Sequence, residues 1–127
     1  MAIADRVYID GRRYDVPVKE LKRTADVLDK YATRTENGSL KRKLIGVYYN
    51  YDITFGDTLD VDTYNSLFDK LTEPEEFHQI RVPASNGDFT FTAYITKVSD
   101  NMIAQHNGKN YFGSLKANFT AKSPARR

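Results

Sequence analysis

The chain has 127 residues, with 19 Lys and Arg against 17 Asp and Glu, 13% aromatic residues and no cysteine. That is a single domain's worth of globular sequence, and the missing cysteines exclude disulfide staples and thiolate metal centres. No run approaches the ~20 apolar residues of a membrane-crossing helix, and the first residues lack a signal-peptide core.

Charge is unevenly spread. Residues 1–43 hold 11 Lys and Arg against 7 Asp and Glu, whereas residues 44–127 hold 8 against 10. If the two segments occupy different poles of the fold, copies of the chain can meet head to tail with opposite potentials facing. Nucleic-acid binding is the competing use of a basic half, but here bases and acids interleave and form no clean stripe.

Val7–Tyr8–Ile9, Asp10–Gly11 and a short run ending near Tyr14 predict a small hairpin, because both central turn positions require positive φ. Pro17 limits its continuation. Residues 18–36 support two readings. Leu21, Ala25, Leu28 and Ala32 have helical spacing, whereas the turn-prone Glu36–Asn37–Gly38 and the strand beyond it favour the outer strand of a long hairpin. From Leu40 to Phe55, Ile45, Val47, Tyr49, Tyr51, Ile53 and Phe55 alternate, which predicts a strand about 50 Å long at ~3.3 Å per residue. Its opening, Lys41–Arg42–Lys43, is too polar for a core, and Tyr48 faces away from Tyr49 and Tyr51.

Asp60 or Asp62 is placed to cap a helix over 60–71 that aligns Val61, Tyr64, Leu67, Phe68 and Leu71 on one stripe, with Pro74 marking the stop. Strands are predicted over Phe77–Val82, Phe89–Val98 and Tyr111–Ala121, with turns at Asn86–Gly87 and Asn107–Gly108. Residues 122–127 read as a flexible polar tail. The whole predicts a mainly β, single-domain protein spanning 1–127: an antiparallel β-sandwich or partly closed barrel with one flanking helix and a long hairpin.

Little in the chain suggests a reaction centre. His78 and His106 lack a zinc-ligand companion at short spacing, although Glu75 and Glu76 stand near His78. Asp57, Asp60 and Asp62 lack the glycine and closing Glu of a calcium loop, and helix capping explains them. Acid pairs such as Asp52 with Glu76 have no cleft to fix their separation. There is no nucleophile elbow or phosphate-binding glycine loop, and Asn118–Phe119–Thr120 matches a glycosylation pattern inside a predicted strand. Neither enzyme activity, cofactor nor metal is expected. Tyr49 and Tyr51 suit a core or a subunit contact, and Tyr48, on the other face, suits a contact. Tyrosines beside Lys and Arg could alternatively stack the bases of a single strand.

Gly46–Val47–Tyr48–Tyr49–Asn50–Tyr51–Asp52–Ile53–Thr54–Phe55, the helix segment Asp62–Thr63–Tyr64–Asn65–Ser66–Leu67–Phe68–Asp69–Lys70–Leu71–Thr72, Pro74–Glu75–Glu76–Phe77–His78 and Phe89–Thr90–Phe91–Thr92–Ala93–Tyr94–Ile95 follow in an order that resembles small tail-tube or tail-tip proteins of long-tailed bacteriophages. Leu21–Lys22–Arg23–Thr24–Ala25–Asp26 also resembles such proteins from phages or prophages of Gram-positive bacteria. The resemblance implies a non-enzymatic virion structural protein, assembled in the host bacterial cytoplasm into the virion tail. Its copies would form a homo-oligomer, commonly a hexameric ring, around a lumen that passes DNA without sequence-specific binding, and would contact other tail proteins but no membrane. Residues 40–55 and 89–98 would supply sheet and ring contacts and 24–43 a hairpin reaching the next ring. The interface candidates are then Tyr48, Tyr49, Tyr51, Lys41, Arg42, Lys43, Arg34 and Tyr94. The alternatives are a single-stranded nucleic-acid-binding barrel and a phage head–tail completion or adaptor protein.

Overall fold

The structure, a computed structural model, describes residues 4–126, apart from the side chains of 30–32, 41 and 42. In chain order the elements are β1 (Val7–Ile9), β2 (Arg12–Tyr14), β3 (Val18–Arg34), β4 (Leu40–Phe55), α1 (Val61–Leu71), β5 (His78–Ala84), β6 (Gly87–His106) and β7 (Lys109–Ala121). The strands form one antiparallel sheet in the order β2-β1-β5-β6-β7-β4-β3. It curls without closing, so β2 and β3 are its edges. Ala4 bridges Val18 at the root of β3, drawing the two borders together at that end only. The expected mainly β, partly closed architecture with a flanking helix and a long hairpin is therefore what the chain adopts.

Two turns follow directly from local chemistry. Asp10 and Gly11 both have positive φ (53° and 81°), as do Asn107 and Gly108 (51° and 77°), the backbone of a two-residue hairpin turn. Residues 18–34 are strand throughout, paired to β4 from Val18↔Phe55 to Arg34↔Leu40. The helical spacing of Leu21, Ala25 and Leu28 is overridden because β4 offers a full-length partner and the core lies on one face only. Helix α1 starts on Asp60, whose carboxylate accepts from Thr63 N (3.1 Å) and Thr63 Oγ1 (2.7 Å). It ends before Pro74 with Thr72 N donating to Phe68 O.

A single core fills the curl. Val7, Ile9, Ile80, Val82, Ala93, Ala117, Phe119, Tyr51, Ile53 and Phe55 come from the strands, and Tyr64, Leu67 and Leu71 from α1. Register explains the inward set: Ile9↔Ile80, Ile80↔Phe91, Tyr51↔Phe119 and Ile53↔Ala117 are cross-strand neighbours on one face.

β4 and β7 pair only over Tyr51–Thr54 against Lys116–Phe119. Because they run antiparallel, the rest of each strand leaves the core in opposite directions. Toward one pole the β3–β4 hairpin extends to its turn at residues 35–38; toward the other, β6 and β7 extend to Asn107–Gly108. The second arm is a correction to the strand predicted over Phe89–Val98, which continues to His106. Between Lys97 and His106 no two-residue apolar period exists, since that stretch has no core to face and its register shifts at Ile95/Val98, Ser99/Asn101 and Met102/Ala104. Where β7 passes from arm to core, Ser114 has φ 54° and its N–H donates to Asp57 Oδ1 (3.2 Å).

The polar tail is hydrogen-bonded within 124–126. Val47 N donates to Arg126 O and Ala125 N donates to Val47 O, both at 2.8 Å. This strap crosses β4 at Gly46, where a Cβ would meet Pro124 Cβ at 2.6 Å and Arg126 O at 2.7 Å. Only glycine lets the strap approach so closely.

Candidate assembly surfaces

The eight candidate interface residues fall into separate places. Tyr51 is a core residue, 2% exposed, with its ring 5.1 Å from Phe91. Burial pushes its phenol up, and the Arg23 guanidinium opposes that shift without overcoming it. Tyr51 is thus shut off from a neighbouring subunit or a base. Tyr49 lies on the same face but nearer the arm, half-buried against Phe89 at 5.7 Å, with the Arg23 guanidinium 5.8 Å from its ring centre. Tyr48 is half-buried on the opposite face, across from Asp26. There Asn50 Nδ2 donates to Asp26 Oδ2 (2.6 Å) and Asn50 Oδ1 accepts from Ala121 N (2.8 Å), tying β3, β4 and β7 together.

Lys43 and Arg34 are exposed on the first arm, and Arg34 Nη1 donates to Gly38 O across the turn (3.0 Å). Lys41 and Arg42 lie on β4 opposite Thr33 and Ala32, and their side chains fall outside the described residues. Tyr94 is exposed on the outer face of β6, edge-on to Phe77 at 6.5 Å, with Lys122 Nζ 4.5 Å from the Phe77 ring centre. Tyr48, Tyr49 and Tyr51 therefore make no single stacking platform.

Apart from Tyr94, the large exposed apolar side chains among the described residues are gathered at the two poles. On the first arm they are Val27, Leu28, Leu40, Leu44 and Ile45. At the other pole Met102, Ile103 and Phe112 project from the second arm, beside Leu59, which is 87% exposed just before the cap of α1. Leu59, Asp60, Asp62 and Phe112 line an open cleft of about 550 Å³ between the helix start and the arm tip. Sequence reasoning missed this second group. Its signal was an apolar residue isolated among acids, Asp57–Thr58–Leu59–Asp60–Val61–Asp62.

A polar cluster lies apart from both arms. His78, 2% exposed, stands with Nδ1 2.7 Å from Asp10 Oδ2, and Asp10 Oδ1 accepts from Gln79 N (2.7 Å). Lys70 Nζ is 3.3 Å from both Asp10 Oδ2 and Glu73 Oε2. Partial burial opposes the Asp10 charge, but hydrogen bonds from His78, the Gln79 amide and Lys70 outweigh it and hold the carboxyl below its ordinary range. The hydrogen bond to Glu73 is the main cause that raises the Lys70 ammonium. Asp10, Glu73 and His78 bring ligand atoms within 4.8 Å of one another. The lysine ammonium already supplies the cation those carboxylates need, so the cluster fits a structural tie between α1, the first hairpin and β5 better than a metal centre. The residue paired with His78 is Asp10, 68 positions away, and not the neighbouring Glu75 or Glu76.

No protein-family model matches the chain, and no curated protein matches its sequence.

Proposed function

We propose that this protein is a non-enzymatic, self-assembling structural subunit whose copies join through sheet edges and projecting arms into rings of a bacteriophage tail tube or tail tip. The observation that carries the reading is the outer edge of β3. Among the described residues, no strand pairs with it beyond the Ala4 bridge at Val18. That leaves roughly 50 Å of strand edge open at ~3.3 Å per residue, and such an edge is a template for another chain. Bulges at Leu28/Asp29 and Asp29/Tyr31 and charges along the strand restrict which register a partner can take, as a specific contact requires.

The phage-tail assignment rests on the resemblance of the strand and helix segments, and the arms support it by giving each subunit two unlike ends. A ring needs a heterologous contact that closes after a fixed rotation. The core residues stay internal, so joining copies costs little rearrangement. Light scattering across protein concentration, with negative-stain images of the same samples, tests the reading. Discrete oligomers with a central hole are expected. A strict monomer from low to high salt and at high concentration overturns it.

The single-strand-binding alternative has weaker geometric support. With Tyr51 buried, it retains Tyr49, Phe89 and Arg23 on one face and Tyr48 on the other, which cannot stack successive bases along one groove.

A further inference from the structure

Resting on that assembly reading, we infer that the tip of the β3–β4 arm of one copy seats in the cleft at the opposite pole of the next copy, between the start of α1 and the β6–β7 arm. Three observations converge on this pairing. The two arms leave the core in opposite directions, because β4 and β7 overlap over only four residues in antiparallel register. A tip and a cleft on opposite ends of one subunit meet when copies are stacked along the arm axis.

Both surfaces also carry apolar side chains without cover. Leu40 and Leu44 on the tip are each 54% exposed, and Leu59 and Phe112 line the receiving cleft. Clustered exposed apolar side chains rimmed by polar residues mark interaction sites, whereas scattered single ones do not.

Charge selects the occupant. Residues 29–44 hold five Lys and Arg against two acids, whereas residues 57–62 hold three Asp and no base. Asp60 and Asp62 line the cleft against one base, Lys109. A basic apolar tip is therefore complementary to the cleft and repelled by another tip, which makes the contact head to tail. Asp57 and Asp60 are held by Ser114 and Thr63, leaving Asp62 in the first turn of α1 to meet a cation.

The cysteine-free chain allows a direct test. Leu44→Cys and Leu59→Cys are made as separate single variants, mixed, allowed to assemble and mildly oxidised. A mixed disulfide-linked dimer is expected, absent when Leu44→Cys is mixed with Tyr94→Cys. Adding Asp62→Lys to the Leu59→Cys chain should remove the product, and adding Lys43→Asp to the Leu44→Cys chain should restore it. Circular dichroism of each variant confirms that loss of the product is not loss of the fold.

If wild-type rings assemble under the same conditions and no Leu44–Leu59 product forms, the pairing is wrong while the assembly reading stands. If the wild type is strictly monomeric, both fall. Binding of an oligonucleotide that Lys43→Asp weakens, with no disulfide product, would reassign the arm tip to nucleic acid and overturn the pairing.

Discussion

Replacing Gly46 by alanine isolates what the C-terminal strap contributes. The new Cβ would stand 2.6 Å from Pro124 Cβ and 2.7 Å from Arg126 O, and Gly46 has φ 156°. The strap must lift, forfeiting the two 2.8 Å hydrogen bonds between Val47 and residues 125 and 126. At about 0.5–1.5 kcal/mol net for each bond, that is about 1–3 kcal/mol. Backbone strain at an unfavourable φ adds about 1 kcal/mol, and freed chain entropy in the tail offsets part of the total. A net loss of about 1–3 kcal/mol, or roughly 3–10 °C in Tm, is expected, with the Val47 amide exchanging faster than its neighbours in β4. Truncation after Ala121 supplies the second side of a double-mutant cycle. In the truncated chain Gly46→Ala should cost only the strain, so the two changes should be strongly non-additive. If the glycine substitution costs as much without the strap as with it, the close approach of the tail is not why glycine stands there.

Leu67→Ala removes a fully buried helix side chain and should cost about 2–5 kcal/mol in urea unfolding. Leu59→Ala, at the exposed cleft, should stay within about 0.5 kcal/mol of wild type, and equal losses at the two sites would contradict the assigned burial. Asn50→Ala leaves the Ala121 N–H without its acceptor and should cost about 1–3 kcal/mol, read as lost exchange protection at Ala121. The Asp10 carboxyl is held below its ordinary value, so between its folded pKa and the unfolded value near ~3.9 the unfolded chain binds more protons. Its stabilisation is present above the unfolded value and disappears as pH falls through the folded one. Urea midpoints measured through that acid range should therefore depend less steeply on pH for Asp10→Asn than for wild type, and identical slopes would refute the assigned tie.

The parts of the fold that could be read in advance are those where local chemistry and the core agree. Asp10–Gly11 and Asn107–Gly108 encode their turns, and the stripe from Val61 to Leu71 behind an Asp cap encodes the helix. Residues 18–34 were ambiguous because Leu21, Ala25 and Leu28 fit a helix. In the strand, Leu21 and Ala25 share a face with Ile53 and Tyr49, while Leu28 turns away opposite Gly46. The outer half of β6 could not be read, since alternation is selected only where one face is buried. The same limit governs the candidate surface. Alternation puts Tyr49 and Tyr51 on one face but does not say where along that face the core ends. Phe91 and Phe119 cover Tyr51, whereas Tyr49 packs on Phe89 and is only half-buried. The second pole has no continuous sequence signature, because its apolar residues come from two places distant in sequence, Leu59 and the 102–112 hairpin.

The unlike ends of the chain bear on how the proposed assembly should respond to salt. A two-fold dimer requires a patch complementary to itself, and neither a basic tip nor an acid-lined cleft alone meets that condition, so the proposed stacking through them would run head to tail. The proposed pairing along the β3 edge would rely on backbone hydrogen bonds, which screening affects little. The proposed tip-to-cleft contact would rely in part on exposed charges, whose reach shrinks from about 10 Å at 0.1 M salt to about 3 Å at 1 M. Sedimentation at rising salt should therefore first resolve long assemblies into discrete rings, and rings should persist after stacks have gone. The reverse order, with stacked single files surviving after rings open, would mean that the arms carry the stronger contact and that the β3 edge is not the ring seam.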